Sequence, residues 1–219
     1  EHGRAPHVEC IGGGRARQRY LTPPEVEALV TALNAEDTYP HTRTIVMIAL
    51  MTAQRGIAIK ELRWPHVDFV RDIIWFPPGR SRLKNSVATP MQPALSAHLR
   101  QARDFAQSEW VVEWKGRQVA SVRKSFMALV KRAGLKDVTF HDLRRTAASL
   151  AVQRGASFAE VAALLGDDEA VVRRHYAMFD PQFLSGILSR IDAIAYSPAA
   201  RMVTGPMDED DRNPNREAG

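Results

Sequence analysis

Between Val67 and Met91 the spacing of apolar side chains changes from a helical repeat to short alternating runs, and this is the one block we read as strand. Val67–Val70, Ile73–Phe76 and Val87–Met91 each read as a short strand. Val70-Arg71-Asp72 separates the first two, and the segment 77–85 separates the last two. So short a connection joins antiparallel strands, because parallel pairing needs a crossover of a dozen residues or so. The expectation is a small antiparallel sheet inside an otherwise helical domain: mainly α, of the α+β class. The second connection is long and basic, with Arg80, Arg82 and Lys84.

Around this block the period is helical. Thr22-Pro23-Pro24-Glu25 has the spacing of a capping box with proline in the first turn, and Val26, Leu29, Val30 and Leu33 follow on one face. A second helix is predicted over 42–53, with Ile45, Ile48, Ala49 and Thr52 on its apolar side, and a short one over 57–62. Helices resume over 93–107 and 121–133. Another starts near His141 and ends before Gly155, a left-handed cap. Ser157-Phe158-Ala159-Glu160 is a second capping box and opens a helix to Leu165. The last helix begins at Asp180-Pro181 and carries an apolar stripe of Phe183, Leu184, Ile187 and Leu188, which packs on its own domain in the simplest reading.

The length, 219 residues, fits one domain plus tails. Residues 1–19, with three consecutive glycines and alternating arginines, read as a flexible basic leader; 20–196 as the folded domain; 197–219 as a disordered acidic tail. A single cysteine, Cys10, excludes a disulfide framework and a Cys-cluster zinc site. The longest apolar run, Ile45–Met51, is too short for a bilayer, and the N-terminus has no apolar signal core. A cytoplasmic protein is expected. The net charge is +5, and 24 of the 30 basic residues are arginine. Arginine grips phosphate with a planar fork that lysine lacks. A GC-rich coding sequence also enriches arginine, so composition alone tips only slightly toward a nucleic-acid partner.

Phosphate loops of the Walker type, HExxH helices, EF-hands and Gly-x-Ser-x-Gly elbows are all absent from the sequence. Three short patterns stand out. In His141-Asp142-Leu143-Arg144-Arg145, His141 and Arg144 share a helix face and can present an imidazole and a guanidinium to one phosphate. Leu164-Leu165-Gly166 precedes Tyr176 by ten residues, in Arg173-Arg174-His175-Tyr176. Thr52-Ala53-Gln54-Arg55 stands ahead of Glu61-Leu62-Arg63-Trp64. Each has an ordinary reading on its own: Tyr176 as a half-buried packing residue, Arg55 as a cation at a helix C-terminus, Lys84 as a solvated hairpin charge, His141 as an idle helix start. His66, His98 and His175 have no partners at metal spacing.

Together, in this order, the patterns resemble the tyrosine recombinase (phage integrase) family over roughly residues 20–191. The family's leading arginine falls on Arg55, its HxxR on His141 and Arg144, its nucleophile on Tyr176, and its hairpin lysine on Lys84. Two positions depart from the pattern. Asp167 stands where the family usually has His or Trp, and Ala58 where an acidic residue is common. An ionised aspartate cannot donate to phosphate and repels its charge. Asp167 or Asp168 would instead suit the N-cap of the helix bearing Tyr176.

The resemblance implies the recombinase catalytic-domain fold and a site-specific recombinase that works through a 3′-phosphotyrosyl link, without metal, ATP or other cofactor. The chemistry suits the residue types. Two arginine forks stabilise charge building on the phosphate. A phenol, with a pKa near ~10, needs a base, for which His141 is the best by type. Lys84 would protonate the departing 5′ oxygen. The implied partners are double-stranded DNA, with Arg80, Arg82, Arg145, Arg173 and Arg174 as phosphate contacts, and three further copies in a tetramer on two duplexes. Family members usually carry a helical DNA-binding domain ahead of the catalytic one, so a fragment or a minimal protein is expected. Two other readings stand beside this one: a recombinase-like DNA-binding protein with a degenerate site, for which Asp167 speaks, and a type IB topoisomerase-like enzyme.

Overall fold

The structure, a computed structural model, describes residues 19–78 and 86–180. Residues 1–18 of the leader, the hairpin tip with Arg80, Arg82 and Lys84, the helix expected from Asp180-Pro181 beyond Asp180 itself, and the acidic tail lie outside the described residues; Arg19, expected in the flexible leader, instead pairs with Glu25 of α1. The order of elements is α1 (Pro23–Leu33), α2 (Pro40–Thr52), α3 (Gly56–Lys60), a 3-10 turn (Trp64–His66), β1 (Val67–Asp68), β2 (Ile73–Phe76), β3 (Val87–Pro90), α4 (Pro93–Asp104), β4 (Glu113–Trp114), β5 (Arg117–Gln118), α5 (Arg123–Arg132), α6 (Phe140–Gln153), α7 (Phe158–Leu165), α8 (Glu169–Tyr176) and a 3-10 turn (Ala177–Phe179).

The expected sheet is present. β1, β2 and β3 lie in that order, antiparallel, with Val67 opposite Ile74 and Ile74 opposite Thr89. Ile74 and Phe76 enter the core while Trp75 faces out, as alternation requires. β1 is shorter than the predicted Val67–Val70. The Asp68 carboxylate accepts the Val70 and Arg71 N–H groups at 2.9 Å, which turns the chain two residues early and leaves Val70 exposed.

Most helices lie within two residues of their predicted bounds. α2 starts two residues early because Pro40 serves as its first residue. α4 stops at Asp104, three residues short of the expected 107. In α1, Val30 is partly exposed and Ala32 is buried in its place. A second hairpin, β4–β5, was not expected; its turn residues, Lys115 and Gly116, both have positive φ (53° and 71°). The usual signal for such a turn is Asn-Gly or Asp-Gly, so Lys-Gly passed unread.

The core has two parts. A larger one joins α1 to α5 and the sheet, around Leu29, Ile45, Ile48, Ile74, Phe76 and Leu143. A smaller one joins α6, α7 and α8, around Ala148, Val152, Phe158, Val161, Leu165 and Val172, with Ala53 from the end of α2. The long helix α6 contributes to both, and the candidate site lies where they meet. Among the described residues, no helix is long and apolar enough to cross a membrane.

Candidate active site

α6 begins with a Thr-x-x-Asp box: the buried Asp142 carboxylate takes the Thr139 backbone N–H and hydroxyl, both at 2.8 Å. This fixes the first turn, which carries His141, Arg144 and Arg145. α2 ends in a left-handed residue, Ala53 (φ 54°), and α7 in another, Gly166 (φ 65°). After Gly166 the Asp167 N–H turns back to the Ala162 carbonyl at 3.1 Å, which aims Asp167 away from the α7 axis. α8 then runs directly to Tyr176.

Arg144 stands where these ends converge. Its side chain is 5% exposed. Nη1 donates to the Ala53 carbonyl at 2.7 Å, and Nη2 to the Leu165 carbonyl at 3.0 Å and to Asp167 Oδ2 at 2.6 Å. The carbonyls at two helix C-termini, each with residual negative charge, thus hold one buried cation. Gln54 adds a parallel fastening, its Nε2 donating to the Leu164 carbonyl at 2.6 Å. Burial, and next the neighbouring Arg55, pull the Arg144 pKa down, against the opposing charge of Asp167.

Arg55 is not a helix C-terminal cation but the residue that precedes α3. Its Nη2 donates to Asp167 Oδ1 at 2.6 Å. Gly56 lets Arg55 come this close: a Cβ there would lie 2.9 Å from the Phe140 ring, which precedes His141. Asp167 is therefore bridged by the two arginines, and the N-cap position of α8 belongs to Asp168. Burial pushes the Asp167 pKa up, but the bond from Arg55 and the charge of Arg144 outweigh it and hold the carboxyl below its usual value.

Arg55, His141, Arg144, Arg145, Asp167 and Tyr176 line one cleft of about 200 Å³. His141 is held below the ordinary imidazole value by desolvation first, then by the Arg145 and Arg144 charges. Tyr176 is half-buried, and burial raises its pKa above 10 despite Arg144 and Arg145. Arg173 and Arg174 do not line the cleft: Arg173 pairs with Glu169 at 2.8 Å and lies over the Phe158 ring, and Arg174 is exposed.

Several further residues line the cleft, among them Tyr20, His175 and Phe179. Tyr20 and Phe179 meet edge to face at 4.8 Å, and His175 precedes the tyrosine. Tyr20 is placed by the adjacent Leu21, whose N–H donates to the Thr146 hydroxyl on α6 at 2.8 Å. That contact spans 125 positions and leaves no local trace. His175 was read only for metal spacing, and proximity to Tyr176 was its unused signal.

Comparison with known proteins bears on the fold and the family. The chain is 27% identical over 205 residues to the integrase of Salmonella phage P22, covering 87% of this chain and 51% of that protein, so it spans about half the length of that relative. The catalytic domain of bacteriophage HP1 integrase superposes with a TM-score of 0.58 at 23% identity, covering 83% of this chain and 96% of that one. A lambda integrase tetramer bound to a Holliday junction gives 0.58 at 23%, covering 71% and 48%. These structural likenesses establish the shared fold. The model of the phage integrase family matches residues 19–182, three quarters of the sequence, and the chain belongs to that family.

Proposed function

We propose that this chain is the catalytic part of a site-specific DNA recombinase that cuts and rejoins strands through a 3′-phosphotyrosyl intermediate. The observation that carries the reading is the convergence of Arg55, His141, Arg144 and Tyr176, from three separate segments, on one small cleft. The Tyr176 oxygen attacks phosphorus, the bond from phosphorus to the 5′ oxygen breaks, and the enzyme keeps the phosphate as a tyrosyl ester. His141, neutral at pH 7 because its pKa lies below the ordinary value, takes the phenol proton. Lys84 protonates the 5′ oxygen. The released hydroxyl of a partner strand then reverses the step at a new junction. The arginine forks stabilise the charge that grows on the phosphate as the nucleophile adds.

Double-stranded DNA is the substrate in this reading, and the active form is a tetramer on two duplexes; the lambda integrase above is a tetramer bound to a Holliday junction. Action on phage or mobile-element DNA places the protein in the bacterial cytoplasm. The test is a nicked suicide duplex taken from a library selection. A covalent adduct that vanishes in Tyr176→Phe supports the proposal; an undiminished adduct in that variant refutes the nucleophile.

The occupation of both arginines by Asp167 favours one second reading, a DNA-binding protein that does not cleave. It predicts salt-sensitive DNA binding without an adduct, in the native protein and in Asp167→His alike.

A further inference from the structure

The two guanidiniums that should receive a phosphate already hold an anion. Each Asp167 oxygen takes one donor, Oδ1 from Arg55 and Oδ2 from Arg144, both at 2.6 Å. We propose that Asp167 is a positioning residue that fills the phosphate seat in the DNA-free protein, and that the scissile phosphate must displace its carboxylate. The proposal rests on the recombinase reading above for the identity of the incoming phosphate.

Three observations carry it. Arg55 and Arg144 each bond one oxygen of Asp167, and the Arg55 charge lies close enough to disfavour the charged form of Arg144, so an anion between them holds the pair in place. The carboxylate does not complete the seat: Arg55 Nη1 is buried and has no acceptor among the described residues. A buried guanidinium donor without a partner is costly, and a phosphate, with more acceptor oxygens than a carboxylate, can satisfy it. Finally, no helix holds the Asp167 side chain in place. It lies between the left-handed Gly166 and the start of α8, outside either helix. Val172 is the one fully buried residue of α8, and the Asp167 bridge adds a polar tether just ahead of its first turn. Displacement of the carboxylate therefore loosens the helix that carries Tyr176 as the phosphate arrives.

The test uses inorganic phosphate, which needs no target sequence and no chemistry. Thermal melts of the full chain are recorded against phosphate for the native protein, Asp167→Asn and Asp168→Asn. Without phosphate, Asp167→Asn should melt lowest, because two adjacent cations lose their anion. Its phosphate affinity should be about tenfold or more above native, since the competing charge is gone. Asp168→Asn removes the same charge one residue away and should bind phosphate like the native protein. Equal affinity in the native protein and Asp167→Asn, or an equal gain in Asp168→Asn, overturns the proposal. If Asp167→Asn does not fold, amide exchange of residues 168–176 in the native protein decides: faster exchange on adding phosphate supports displacement, and unchanged exchange refutes it. Failure of the recombinase reading would show instead as a missing adduct on the suicide duplex, with these phosphate results intact.

Discussion

Arg144 closes the end of α2: its Nη1 donates to the Ala53 carbonyl at 2.7 Å, across 91 positions of chain. The arginine of the HxxR pattern is therefore a structural bolt between α2, α6 and α7, whatever it binds.

Arg144→Ala should destabilise the domain by about 3–5 kcal/mol, because it leaves the Ala53 and Leu165 carbonyls and one oxygen of Asp167 without their donor. Arg144→Lys should cost less but still lower the urea midpoint, since a single ammonium cannot span three acceptors in different directions. Urea unfolding of both variants checks this. A midpoint equal to native in Arg144→Ala would remove the structural role.

Gly56→Ala should cost about 1–3 kcal/mol through overlap of the new methyl with the Phe140 ring. The push should also separate Arg55 from α6 and reduce adduct formation. Phe140→Leu, combined with it, should recover much of the loss. Denaturant midpoints of the single and double variants give the coupling.

In the proposed reaction the depressed pKa of His141 sets the acid limb. A folded pKa below 6.5 keeps the imidazole neutral under mildly acid conditions, and its stabilising contribution, present above 6.5, is lost as pH falls through the folded value. Single-turnover adduct formation should fall as pH drops through the folded His141 value, which lies below 6.5. Burial is the main cause and the Arg145 charge the next, so Arg145→Ala should move the His141 titration, followed by NMR, back toward 6.5.

At the start of the domain, Glu25 bonds Arg19 and the Thr22 N–H, and its pKa is lowered to about 2, chiefly by the Arg19 bond and against a smaller effect of burial. The folded value lies below the unfolded one, so the stabilisation is present above about pH 4.5 and lost as pH falls toward 2. Glu25→Gln should cost about 1 kcal/mol at pH 6, a modest figure because water screens the pair. The gap from native should close between pH 4.5 and 2 in thermal melts.

Much of this was legible locally. The capping boxes at Thr22 and Ser157 mark helix starts, and the alternation of Ile73–Phe76 marks the central strand. These signals act within a few residues, through side chains that satisfy nearby backbone groups or alternate across a pleat. Arg55, His141, Arg144 and Tyr176 were found by type and order, and the cleft brings all four together. The Lys-Gly hairpin was missed because its turn lacks the usual residues, although Lys115 adopts the same left-handed backbone.

The sequence by itself thus determined the order of helices and strands and the chemical groups available to a site. Only the tertiary structure decided where Asp167 goes. As a local residue it would cap α8; in the fold it meets Arg55 and Arg144, 112 and 23 positions away. One buried and one partly buried guanidinium offer a carboxylate more than the exposed N-terminus of an eight-residue helix does, because charge attraction strengthens as water is excluded. That competition is settled by which helix ends are packed together, and no spacing within the chain records it.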